Sequence, residues 1–355
     1  MGLNEVSKGS GKPASKSQGN PNRTSPNEAR RPRRATSFAD LLAQLADTEH
    51  PLSIASLYRL SDLNPEDFAA LRSAWPGIAV RRRRQIMRML VEISESNFEV
   101  DFEPIARMAL DDEDAEVRVA AIEGLWECED ARVVPQLLHL LIHDPTPAVR
   151  AAAAAGLGPF VLLKELGKLR PYTPQLETEL EETLIAVVDT AQEDLEVRRR
   201  AVEALGYSSH ERVPAIIEAA YYDDNEKMRV SAVFAMGRSA DRRWVPTILN
   251  ELNSVNPEMR YEAARAAGEL EAREAVPLLI ELIEDPDREV QEAAIWALGE
   301  IGGSQAQDAL ERVIEQGDEF LSEAAEEALD TLTLMHGLPE FPMFVFGEET
   351  EDDVE

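Results

Sequence analysis

Cysteine is almost missing from this sequence, Cys128 being the only one among 355 residues. One thiol closes no internal disulfide, which excludes a cross-linked extracellular framework and leaves a reducing compartment, the cytoplasm, as the expected location. Positive charge is scarce as well. Lys and Arg number 36 against 68 Asp and Glu, a net charge of −32, so the body as a whole lacks the clustered cations of a nonspecific nucleic-acid binder. Long apolar runs are absent too. The longest uncharged stretch, Ala151 to Leu163, has 13 residues and contains Gly156, Gly158 and Pro159, whereas a membrane-spanning helix needs roughly 20 predominantly apolar ones. No apolar stretch follows the first positive charges, so no secretory signal is expected. Aromatics make up only 6%, but apolar residues reach 44%, which is enough to bury a large core.

The chain changes character at both ends. Residues 1–36 are rich in Gly, Ser, Asn, Pro, Lys and Arg and hold almost no large apolar residue after Val6, a composition that cannot offset the entropy of ordering and reads as a disordered arm. Eight basic residues there, opposed only by Glu5 and Glu28, give the arm +6 and leave the remainder at −38. The arm reads either as a solubilising tail lying back on its acidic body or as a basic anchor for nucleic acid or an anionic membrane. Within 336–355, a Pro-broken apolar segment, Leu338 to Phe346, precedes a tail with six carboxylates in nine residues. That segment is expected to pack on the last helices, with a docking peptide for a partner as the alternative.

Between the ends the sequence repeats. Taking Arg118 as a marker, its equivalents are Arg150, Arg198, Arg229, Arg260, Gln291 and Ser322, spaced by 32, 48 and then four times by 31 residues. One residue before the marker the chain is always apolar. Three after it stands Ala in all seven units, from Ala121 to Ala325, and six after it Gly or Ala. These positions, with +7, fall on one stripe of a helix, and the small members let a neighbouring helix approach. Four before the marker come Asp114, Thr146, Asp194, Asn225, Asn256, Asp287 and Asp318, all N-cap residue types. A second apolar pattern opens with Val-Pro at 134–135, 213–214, 245–246 and 276–277, where proline suits a first helical turn. The unit is thus a helical hairpin of about 31 residues that buries its apolar faces only by stacking on its neighbours.

The pattern Asp-x-x-Val-Arg-x-x-Ala-x-x-Ala-Leu-Gly with Val-Pro-x-Leu-Leu-x-Leu, as at Asp194 to Gly206 and Val276 to Leu282, resembles the HEAT-like repeat of the phycobilisome-lyase type over roughly Arg81 to Leu334. The resemblance implies an all-α fold, a right-handed α-solenoid of HEAT-like hairpins. It also implies a hydrogen-bonded ladder between units, with Asp114, Arg118, Asp194 and Arg198 among its members, fading at Gln291 and Ser322. Residues 37–80 read as a helical N-terminal cap, with helices at Phe38 to Ala46 and Asp67 to Trp75. Repeats occupy 81–335, beginning with an atypical unit in which Arg83 takes the marker place. The run Arg81 to Arg84 reads as a solvated helix start rather than a grip on an acidic partner. The 48-residue spacing holds 17 extra residues, expected near 158–174 as a protruding loop or short helix.

Catalysis finds little to work with. His139 and His143 are four apart and precede Asp144, a spacing that can serve a metal, but no HExxH pattern or second His pair accompanies them, and no metal site is assigned. Deoxyhypusine hydroxylases also use HEAT-like repeats and take a diiron site from several His-Glu pairs, whereas this chain has the single pair His210-Glu211. Gly299, Gly302 and Gly303 read as a helix end and turn, not a phosphate loop. No cofactor is implied.

Function is therefore sought on the face of the second helices, where positions +1, +2, +5 and +9 lie opposite the buried stripe and should face a groove. There Phe234, Arg265 and Trp296 occupy +5 in successive repeats, Tyr261 stands at +1, and Tyr207 and Arg238 at +9. Large aromatics and Arg dominate interface hot spots. The alternative is that Phe234 and Trp296 pack on the neighbouring repeat. Glu203, Glu262, Glu269, Glu292 and Glu300 surround the patch, which suits a protein partner of apolar and basic character. The expected function is a non-enzymatic interaction scaffold or adaptor. The alternatives are a phycobilin-lyase-like subunit and, with one His-Glu pair against it, an oxidoreductase of the hydroxylase type.

Overall fold

The computed structural model describes residues 37–171, 173–316 and 318–336; the arm at 1–36 and the segment and tail from 337 onward lie outside them. The cap residues act as their chemistry requires. Asp114, Asp194, Asn225, Asn256 and Asp287 each accept a backbone N–H of the following first turn, as does Asp318, while Thr146 caps without its side chain.

Eighteen α-helices and no strand occur among the described residues. An N-terminal group, α1 (Phe38–Ala46), α2 (Ile54–Tyr58) and α3 (Pro65–Ala74), leads to α4 (Val80–Ser96). The hairpins α5 (Glu103–Ala109) with α6 (Ala115–Glu123), α7 (Val134–His143) with α8 (Pro147–Glu165), and α9 (Pro174–Asp189) with α10 (Leu195–Leu205) follow. Then come α11 (Val213–Tyr221) with α12 (Glu226–Arg238) and α13 (Val245–Glu251) with α14 (Pro257–Glu269). The last pairs are α15 (Val276–Leu282) with α16 (Arg288–Ile301) and α17 (Ser304–Gln316) with α18 (Glu319–His336). Second helices stack in file from α4 to α18, each also against its own first helix, which is an α-solenoid.

Small residues set the spacing of this file. All seven alanines at +3 are fully buried. Each glycine at +8 meets the alanine at +6 of the next repeat: a Cβ on Gly206, Gly237 or Gly299 would come within 2.8–2.9 Å of the Cα of Ala235, Ala266 or Ala328. Helix backbones touch at these points, and no side chain fits between them.

The inter-repeat ladder exists and includes Arg118 and Asp114, as the resemblance implied, but most of its carboxylates are others. Arg118 binds Asp144 at 2.7 and 3.0 Å, and Arg260 binds Asp285 at 2.7 Å through both nitrogens. Arg83 Nε lies 3.5 Å from Asp112. These acids stand six residues before the next marker. In that turn Asp144 and Asp285 also accept the N–H two residues on, which fixes them for the arginine. Asp114 caps its own helix and also takes two bonds from Arg84 of the preceding unit, whereas Asp194 serves its own helix start. Arg198 reaches only the Val188 carbonyl, at 3.4 Å. At the far end the Ser322 hydroxyl is buried without a hydrogen bond.

Two further expectations change. Arg82 and Arg83 are buried rather than solvated: Arg82 donates to the carbonyls of Asp47 and His50, tying the N-terminal helices to α4, and Arg83 also binds Glu113 at 2.6 Å. Residues 158–165 do not protrude but continue α8, and α9 starts at Pro174 and runs for 16 residues. Long helices on both sides take up most of the extra length because their added turns bury Phe160, Val161, Leu180 and Leu184.

Candidate protein-binding face

The stacking of α10, α12, α14 and α16 brings the six aromatic and arginine residues of the expected patch onto one face. Positions +5 and +9 lie about one turn apart, Tyr207 standing just past the end of α10, so neighbouring repeats place them in two parallel rows. The rows interlock. The Arg238 guanidinium lies 5.0 Å from the Phe234 ring centre and 5.6 Å from that of Tyr207, and its Nη1 is 3.0 Å from Glu269. Glu269 also faces Arg265 at 3.8 Å, and Arg265 lies 4.1 Å above Trp296. A connected row therefore crosses four repeats as Tyr207, Arg238, Glu269, Arg265 and Trp296, every member partly exposed.

Packing and exposure coexist in these rings. A methyl on Gly268 would stand 2.6 Å from Trp296 Cζ3, so the indole edge lies over the preceding repeat while its upper surface carries Arg265. Phe234, Arg238, Tyr261, Glu262, Arg265 and Glu269 enclose a small cavity of about 150 Å³.

Electrostatics here are set by shielding. Burial pushes the Glu262 carboxyl up to about 7, with Glu203 and Glu269 adding to the rise and Arg265 and Arg238 opposing it. Glu269 is raised for the same first reason, again against the pull of Arg238 and Arg265, and burial raises the Tyr207 phenol. Glu203 is engaged differently, accepting Ser231 Oγ at 2.6 Å and Arg200 at 2.9 Å.

The other candidates do not converge. His139 and His143 lie with ring centres 4.8 Å apart and tilted on an exposed face, and Asp144 is turned away into its pair with Arg118. Among the described residues no group of three or more His, Cys, Asp or Glu is placed to hold a metal, and no helix is long and apolar enough to cross a membrane.

Sequence reasoning missed a second feature of this face, an apolar basin over α8 between α6 and α10, about 440 Å³ in volume. Its signal was present. At +1, +2 and +5, α8 has Ala151, Ala152 and Ala155, where α10 has Arg199, Arg200 and Glu203. A search for large hot-spot residues passes over positions that are conspicuous by being small.

Comparison with known proteins bears on the fold. The family described as HEAT repeats matches residues 103–168 and 245–330. No curated protein matches the chain. Similar solved structures include human deoxyhypusine hydroxylase in complex with glycerol, 20% identical over 74% of this chain and 95% of that one, TM-score 0.33. They also include the CpcE and CpcF complex of phycocyanin lyase from Nostoc, 18% identical over 66% and 94%, TM-score 0.43. A third is the Kap95:Nup1 complex, 17% identical over 84% of this chain and 46% of that one, TM-score 0.45. The chain is an all-α solenoid that carries HEAT repeats at residues 103–168 and 245–330.

Proposed function

We propose that this chain is a non-enzymatic scaffold or adaptor that holds a protein partner on the face of its second helices, centred on Phe234, Tyr261, Arg265 and Trp296 with Tyr207 and Arg238 beside them. The observation that carries this reading is the connected row from Tyr207 to Trp296. A cation over a ring contributes about 0.5–1 kcal/mol when exposed and about 2 when desolvated, so at 29% and 33% exposure holding two arginines over three rings adds only modestly to the fold. It does preorganise the residue types that form interface hot spots. The carboxylates around them favour a partner surface with apolar and basic groups.

The test uses the full chain with a photocrosslinking amino acid at Phe234, on the proposed face, or at Ala219, exposed on α11. A partner captured from position 234 but not 219, and lost when Arg265 and Trp296 are changed to Ala, supports the reading. Equal capture from both positions sinks it.

A further inference from the structure

The face changes character over α8. Its outward alanines drop the surface between α6 and α10, leaving the basin with Ala151, Ala152 and Ala155 as its floor. Ile122 and Trp126 wall one side, and Glu196 and Arg200 the other. The volume falls within the roughly 300–1,000 Å³ usual for sites that bury a ligand group. Trp126, which lines the basin, is 44% exposed and meets Phe98, 73% exposed, at 6.2 Å between ring centres, so the indole stands at the rim instead of filling the hollow. An apolar depression left open to water gains from any apolar group that enters it.

The charges at the rim select what can accompany that group. Arg200 is already held by Glu196 and Glu203, each at 2.9 Å. At the mouth Glu123 is not matched in this way. Its carboxyl is pushed up by desolvation and by Glu95, and Arg88, the cation that eases it, is bonded to Glu116. The cations near the basin are thus engaged, while Glu123 lines it with no cation among the described residues bonded to its carboxylate.

We propose that this basin is a second docking site, which takes a bulky apolar side chain of a partner polypeptide whose adjacent lysine or arginine reaches Glu123. The inference rests on the scaffold reading and adds to it the chemistry of the partner segment. The occupant follows from charge complementarity: a neutral apolar anchor would leave Glu123 shielded and unmatched, and an acidic segment would be repelled by it.

The experiment pans a displayed library of random dodecapeptides against the full chain and measures the enriched peptides by fluorescence anisotropy. Enrichment of aromatic or leucine residues beside lysine or arginine is expected. Their affinity should fall about tenfold or more on Ala155→Trp, which fills the basin from an exposed position, and severalfold on Glu123→Gln. The combined Phe234→Ala, Arg265→Ala and Trp296→Ala protein should bind them about as well as the parent. Circular dichroism checks that each variant keeps its helix content, and Glu123→Gln carries the test if Ala155→Trp does not fold. Acidic or wholly polar winners, no winners, or peptides indifferent to both basin variants overturn the proposal. Peptides lost only from the triple variant also overturn it, while leaving the scaffold reading standing. A dimer split by Ala155→Trp, with peptides that do not compete, would assign the basin to a second copy of the chain and likewise overturn it.

Discussion

Arg265 and Trp296 belong to adjacent repeats, and the guanidinium of the first lies 4.1 Å from the ring centre of the second. Both are partly exposed, which limits what their contact does for folding. Arg265→Ala is predicted to lower stability by no more than about 2 kcal/mol while changing Trp296 emission and weakening partner capture strongly. A denaturant titration beside the crosslinking assay separates the two effects; a large stability loss with capture unchanged would make the row structural.

The ladder gives an opposite expectation. Arg118 and Asp144 have side chains only 10% and 3% exposed, so Arg118→Ala leaves a buried carboxylate without its partner and should cost about 3–5 kcal/mol. Replacing Arg118 with Met and Asp144 with Leu together should restore much of that. Arg212 and Asp189 form a comparable pair at 48% and 51% exposure, and breaking it should leave the denaturation midpoint unchanged.

Close helix approach makes Gly237 intolerant of a methyl. Alanine is normally the better helix former by about 1 kcal/mol, but its Cβ here would stand 2.8 Å from the Cα of Ala266, and that backbone cannot rotate away. Overpacking of this kind costs about 1–3 kcal/mol, so Gly237→Ala should lower the thermal midpoint. Gly77→Ala, with nothing within 4 Å of the added carbon, should not.

Glu262 ties stability to pH. Its folded pKa of about 7 lies above its ordinary 4.5, so between those values the folded chain holds a proton that the unfolded chain has lost. Stability from this site therefore falls as pH rises across that window and stays low above it. Glu203 of α10, Arg238 of α12, and Arg265 and Glu269 of α14 are the charges that act on it. Glu262→Gln should match the parent at pH 4.5 and melt progressively higher than it toward pH 8. A constant difference across that range would show that Glu262 does not titrate there.

The period of 31, the invariant alanines and the cap residues were legible because a solenoid repeats the same local problem: each helix needs a start, a buried stripe and small residues where the next helix touches. The same periodicity placed Phe234, Arg265 and Trp296 on one face, since face is a matter of residue spacing within a helix. What touches what across repeats was not legible. Arg118 could have been matched to Asp114 or to Asp144 by charge alone, and only the turn geometry, which holds Asp144 by the Thr146 N–H, decided between them. The arginine run at Arg81 to Arg84 looked solvated because its partners, the carbonyls of Asp47 and His50 and the acids at 112–116, are 29–35 residues away. The basin over α8 depends on the heights of three adjacent helices, so no single repeat contains it. Local spacing set the helices and their faces; relative height and long-range charge pairing arose only when the helices were stacked.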